Sequence, residues 1–224
     1  MATSRSYVVA PSSPESINAT TLPWLVKRGA LALWHELPRC LAAGTLALTA
    51  LAPLAVAVVA GAPGWLVAIT TLPLTLALTG LARFIAAVAN ADGVHMRTLR
   101  LDPVLAIAMA GGASLAGLGL ATGGAARIAG AAGAAVLLIV APLALAYGAV
   151  RDRSGLSALR GGAILAAFRP SWALTLLALG CLGGFAVAAS AGILAIAVLP
   201  LQFAIANSFV TELLATIDTP RRRT

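Results

Sequence analysis

Residues 101–153 read LDPVLAIAMAGGASLAGLGLATGGAARIAGAAGAAVLLIVAPLALAYGAVRDR. Charged side chains stand at both ends of this stretch, and Arg127 is the one charged side chain between Asp102 and Arg151. A membrane-spanning helix needs about 20 mainly apolar residues, because roughly 30 Å of hydrocarbon is crossed at about 1.5 Å per residue. Two such segments fit here, so the stretch is predicted to cross a bilayer and return as a helical hairpin.

The same pattern extends over most of the 224-residue chain, which is 60% hydrophobic and only 10% charged. Its mean hydropathy of +0.98 lies outside the usual range of soluble proteins. Six apolar segments are long enough to be spans, and they are predicted at about residues 41–60, 65–88, 104–121, 128–150, 172–190 and 192–211. The predicted fold class is therefore an all-α, polytopic membrane protein with six transmembrane helices.

The chain is expected to have three parts. Residues 1–23 are polar and rich in Ser, Thr and Pro, so they are predicted to be a disordered cytoplasmic segment. Residues 24–213 form the predicted six-helix transmembrane domain, and residues 214–224 form a basic cytoplasmic tail.

The connections between the spans alternate between charged and nearly uncharged. As a result, 14 of the 15 Lys and Arg side chains fall on one side of the predicted membrane. Basic residues near span ends are retained in the cytoplasm, so both termini and both charged connections are predicted to be cytoplasmic. This distribution accounts for the net charge of +8 without nucleic acid as a partner. Abundant Arg, Ala and Gly with a single Lys indicate a GC-rich bacterium, whose plasma membrane is the predicted location.

An internal repeat groups the six spans in pairs. Pro38, Pro103 and Pro170 each follow a basic cytoplasmic stretch and precede an odd-numbered span, at separations of 65 and 67 residues. Proline suits the first turn of a helix, where its missing N–H would have no partner in any case. The repeat therefore predicts three helical hairpins in series.

Two cytoplasmic segments have the pattern of amphipathic elbow helices, at about residues 24–37 and 155–168. Such helices can dock a protein partner or bind anionic lipid headgroups, and they can also merely anchor the ends of the spans. Four basic side chains are the candidate contacts for a partner or for lipid: Lys27, Arg28, Arg153 and Arg160.

Polar side chains within the spans follow two helical stripes. The candidate polar path consists of Thr71, Thr75, Thr79 and Arg83 on the second span and of Asn207, Thr211 and Glu212 on the sixth. These side chains could line a vestibule with Arg83 and Glu212 as an ion pair. In the alternative interpretation the hydroxyls bond to their own helix backbone and the terminal charges extend to the membrane surface. No span has a charged side chain near its centre, which argues against an ion-coupled transporter.

The chain shows no pattern of residues that would indicate an enzyme. His35 and His95 lie on different segments without Cys or a second His at metal-ligand spacing. The nucleophile and phosphate-binding motifs known from enzymes are also missing from the sequence. The protein is therefore predicted to be non-enzymatic, with no cofactor and no metal.

The order of features resembles the YesL-like family of small bacterial membrane proteins over about residues 24–213. The resemblance is carried by PLTLALTGLAR at residues 73–83, a short basic loop with an Asp, and the elbow from ALR at 158–160 to FRP at 168–170. It implies a membrane protein associated with carbohydrate import systems of the ATP-binding-cassette type, and it supplies no catalytic residues.

Two functional hypotheses follow. The first is an accessory or structural component of a carbohydrate transport system, whose partners would be transporter subunits and the anionic headgroups of the bilayer. The second is a transport subunit or permease, with a polar path lined by the second and sixth spans.

Overall fold

The computed structural model describes residues 27, 34, 37–89, 101–190 and 192–218. These residues form seven helices and no strand. The helices are α1 (Leu37–Val59), α2 (Gly64–Ala89), α3 (Pro103–Thr122), α4 (Gly124–Val150), α5 (Leu156–Phe168), α6 (Pro170–Ala189) and α7 (Ala195–Asp218).

Six of these helices, all except α5, are long and apolar enough to cross a membrane, which confirms the predicted fold class. The largest difference at a helix end is in α7, which begins at Ala195 and continues seven residues past the predicted end at Thr211. Leu213 and Leu214 in this extension are buried, and Asp218 forms an ion pair with Arg151 at the end of α4. Packing against neighbouring helices therefore extends α7 into the segment predicted to be a tail.

Several predicted features lie outside the described residues. They are the segment 1–23, most of the elbow helix at 24–37 including Arg28, the charged connection at residues 90–100, and the basic residues at 221–223. Of that elbow the structure describes Lys27 and Trp34 as helical and exposed.

The spans pair as the three predicted hairpins, α1 with α2, α3 with α4, and α6 with α7. Pro103 and Pro170 begin α3 and α6, and Pro38 is the second residue of α1. The second helices of the hairpins, α2, α4 and α7, all contact one another. Each first helix also contacts the second helix of another hairpin, since α1 contacts α7, α3 contacts α2, and α6 contacts α4. The hairpins therefore contact one another in a threefold cyclic order.

Buried side chains concentrate in one region, which we call the base of the bundle. The base consists of two adjoining apolar clusters, one around Leu143, Trp172 and Phe209 and the other around Leu81, Leu105 and Phe203. It joins residues from all seven helices.

Outside the base the helices are mostly exposed. Between residues 111 and 142 only Ala116 and Gly130 are buried, and between residues 177 and 189 none is. Leu115, Ile128 and Leu182 are among the large apolar side chains on this surface. An apolar surface of this extent is typical of contact with lipid tails and not with water.

The short helix α5 folds back along α4 in the opposite direction. Gly162 lies against the backbone of Ala144, Gly161 lies against the ring of Tyr147, and Ala158 faces Gly148. A Cβ atom on Gly162 would overlap the Ala144 backbone, so the contact requires glycine at this position. The predicted elbow helix is therefore present, and one of its faces is packed into the base.

Replacement of Gly162 by Ala should destabilise the bundle by roughly 1–3 kcal/mol, because the added methyl group must push α5 away from α4. The matched control is Gly117→Ala on α3, where a Cβ would meet open space. That change should be neutral or stabilising by up to about 1 kcal/mol, because Ala favours a helix over Gly. Thermal unfolding in detergent compares the two, and equal stabilities would contradict the packing of α5.

Candidate functional site

Three helices meet at Asp102, whose side chain is only 4% exposed. Its Oδ1 accepts a hydrogen bond from the Leu105 backbone N–H at 3.0 Å, and its Oδ2 accepts one from the Gly155 N–H at 2.6 Å. The Asp102 backbone N–H donates to the Thr79 hydroxyl at 3.3 Å. Asp102 therefore links the start of α3, the residue that precedes α5, and the middle of α2.

The local sequence explains this arrangement. Aspartate is a favoured N-cap residue and proline suits the first helical position, so Asp102-Pro103 is a helix start. The proline was recognised from the sequence, but the capping role of Asp102 was missed. Gly155 has a φ of +62°, and a Cβ there would lie 3.0 Å from a methyl group of Val104. Glycine meets both requirements and brings its N–H to the carboxylate.

Arg83 lies one helical turn after Thr79, and its side chain reaches the connection between α4 and α5. Its Nη1 atom is 3.7 Å from Oδ1 of Asp152, and its Nη2 donates to the Arg153 carbonyl at 3.4 Å. Within the described part of the chain, Arg83 forms an ion pair with Asp152 and not with Glu212. The predicted Arg83–Glu212 pair is therefore not formed, because the connection after α4 occupies the guanidinium group.

The threonine hydroxyls of the candidate polar path bond within their own helices. Thr71, Thr75 and Thr79 each donate to the carbonyl three residues earlier, at 2.7–3.0 Å. On α7, Thr211 donates to the carbonyl of Asn207 at 2.8 Å. Thr75 and Thr79 are also buried. These hydroxyls therefore have the backbone-bonded arrangement that the sequence offered as the alternative to a vestibule.

Asn207 differs from the rest of the candidate path. Its side chain is only 3% exposed, and neither its Nδ2 nor its Oδ1 has a hydrogen-bond partner among the described residues. A buried polar group without a partner costs about 1–3 kcal/mol. Among the buried residues of the path, Asn207 is therefore the one whose side-chain polar atoms have no partner within the described part of the chain.

The face of α5 opposite Gly161 and Gly162 is exposed. Leu156, Ile164 and Phe168 are 56–66% exposed, and the basic Arg160 lies on the same face. Arg153 is also exposed in the turn that precedes the helix. We call Arg153 together with these four residues the α5 surface. The structure thus adds three large apolar side chains to the two arginines predicted as contacts.

The described residues contain no cluster of three or more His, Cys, Asp or Glu side chains that could hold a metal ion. A scan against protein-family models, a search of curated proteins and a search of solved structures each found no match. Function is therefore inferred from the base of the bundle and its surface.

Replacement of Asp102 by Ala should lower the stability of the protein by about 2 kcal/mol or more. It removes the cap of α3 and leaves the buried Gly155 N–H without a partner. The control is Arg127→Ala, because Arg127 is an exposed residue in the first turn of α4 and its loss should change stability by no more than about 0.5 kcal/mol. Thermal unfolding in detergent measures both, and a mild effect of Asp102→Ala would contradict its linking role.

Proposed function

We propose that this chain is a non-enzymatic accessory or structural component of a membrane transport system, and that it contacts a transporter subunit through the α5 surface. The observation that supports this proposal is the two-sided character of α5. One face is packed against Ala144 and Tyr147, while the other exposes apolar and basic side chains.

A rigid surface of this kind suits protein recognition. Asp102 holds the residue before α5, and the glycine contacts hold the middle of the helix, so little conformational entropy remains to be lost on binding. Aromatic side chains and Arg, which Phe168, Arg153 and Arg160 supply here, are also enriched at protein interfaces. The resemblance to the YesL-like family favours a carbohydrate import system as the partner.

The charge distribution supports a bacterial plasma membrane location with both termini in the cytoplasm. In this orientation the α5 surface lies on the cytoplasmic side. Arg153, Arg160 and Lys27 then also lie near the anionic headgroups of the inner leaflet.

The double variant Arg153→Glu, Arg160→Glu should release the transporter subunits that co-purify with the wild type from native membranes. The expected loss is about tenfold or more, because a like-charge contact at an interface costs several kcal/mol. The unfolding temperature should not change, since both side chains are exposed.

The matched control for this experiment is Arg127→Glu, an exposed charge reversal in the first turn of α4 and outside the α5 surface. It should keep the transporter subunits bound. Wild-type protein that purifies from native membranes without any transporter subunit would refute the proposal.

A second function, a transport subunit with a path between α2 and α7, is favoured by one observation. Asn207 is buried on α7 with both side-chain polar atoms unpartnered within the described ranges, and α7 contacts α2. A polar group that the fold does not use is a candidate contact for a polar substrate.

The variants Asn207→Leu and Thr75→Val distinguish the two functions. If the protein is an accessory component, Asn207→Leu should raise stability by about 1 kcal/mol or more, because an unpartnered polar group is removed, and uptake should be unchanged. If the protein forms the path, both variants should reduce substrate flux into reconstituted vesicles. Unchanged flux with both variants would remove the second function.

A further inference from the structure

A groove of about 410 Å³ lies between α1 and α2, and none of the residues that line it belongs to the α5 surface. One face of α1, from Arg39 to Leu46, forms one wall, and one face of α2, from Ala77 to Phe84, forms the other. Leu101 closes one side, with a methyl group 3.0 Å from the position of a Cβ on Gly80. Small residues such as Ala42 and Gly80 make the surface concave. The volume is within the roughly 300–1,000 Å³ of ligand pockets.

The lining of the groove is strongly asymmetric. Of the described residues that line it, only Arg39 is charged, and the others are apolar or glycine. Arg39 is exposed and lies in the first turn of α1, where this candidate span begins. From there the groove follows α1 toward its middle, and the seven-residue step from Arg39 to Leu46 is about 10 Å at 1.5 Å per residue.

We propose that this groove binds one anionic phospholipid, with an acyl chain between α1 and α2 and the phosphate group at Arg39. A hydrocarbon core of about 30 Å leaves about 15 Å for each leaflet, so a groove of about 10 Å covers most of one acyl chain's depth. An apolar channel with a cation at its membrane-surface end matches an amphiphile of that polarity. Arginine binds phosphate oxygens through planar, charge-assisted hydrogen bonds.

This site is independent of the proposed transport function, since it uses neither α5 nor the candidate polar path. It also differs from the general attraction of basic residues to headgroups, because it requires a shaped apolar surface as well as a charge. A filled groove would add apolar contacts between α1 and α2 at the edge of the base, where Phe84 and Leu81 belong to one of its two clusters.

The test is native mass spectrometry of the full chain in detergent, titrated with phosphatidylglycerol or phosphatidylcholine. The wild type should retain one phosphatidylglycerol with an affinity about tenfold or more above that for phosphatidylcholine, because the choline cation of phosphatidylcholine offsets the charge of its phosphate, whereas phosphatidylglycerol keeps a net negative charge beside Arg39. Arg39→Gln should remove this preference, and Arg39→Lys should restore part of it.

Two variants of α1 separate the groove from ordinary lipid contact. Ala42→Phe places a ring in the groove and should weaken binding of both lipids, whereas Ala55→Phe, on an exposed part of α1 outside the groove, should leave binding unchanged. Both positions are exposed, so the fold should tolerate either ring, and unfolding temperatures check this. Ala77→Phe repeats the experiment from the opposite wall.

Three results would overturn the proposal. The first is wild-type affinity in both Ala42→Phe and Ala77→Phe, and the second is an equal loss in the control Ala55→Phe. The third is a wild-type dimer that Ala42→Phe converts to a monomer, which would assign the groove to a second copy of the chain.

Discussion

The base of the bundle depends on the hydrogen bonds that the carboxylate of Asp102 accepts. The first N–H groups of a helix have no partner within the helix, and without water each of them must find one elsewhere in the protein. One oxygen of Asp102 serves the start of α3, and the other serves the Gly155 N–H before α5. With Thr79 bonded to its backbone, the same residue also fixes α2. The direction in which α5 leaves the end of α4 follows from this arrangement.

Close contact between helix backbones at glycine residues also stabilises the bundle. Gly161 and Gly162 allow α5 to approach α4 more closely than any larger residue would, and Gly119 and Gly130 do the same for α3 and α4. Lipid tails provide no hydrophobic force between helices, so association in a membrane depends on such packing. The glycines of α5 therefore stabilise the contact with α4, although they weaken the helix itself.

The arginines near the base lie in different surroundings. Arg83 and Arg151 form ion pairs with Asp152 and Asp218, so they hold the ends of helices together. Arg153 and Arg160 have exposed side chains beside the apolar residues of α5, and Arg39 lies at the end of the groove between α1 and α2. The two proposals therefore concern two distinct surfaces, the α5 surface for a protein and the groove between α1 and α2 for a lipid.

The sequence by itself determined the number of spans, their pairing into hairpins and the helix starts at Pro38, Pro103 and Pro170. These features depend on local properties: the length of each apolar segment, the charge of each connection, and proline at a first turn. Only the tertiary structure decided the contacts of Asp102 with Gly155 and of Arg83 with Asp152, because each joins residues that are distant in the chain. It also decided that α7 continues to Asp218, where burial of Leu213 and Leu214 extends the helix. The length of an apolar segment depends only on consecutive residues, so the sequence shows it directly. The partner of a buried polar group depends instead on which helices pack together in the folded protein.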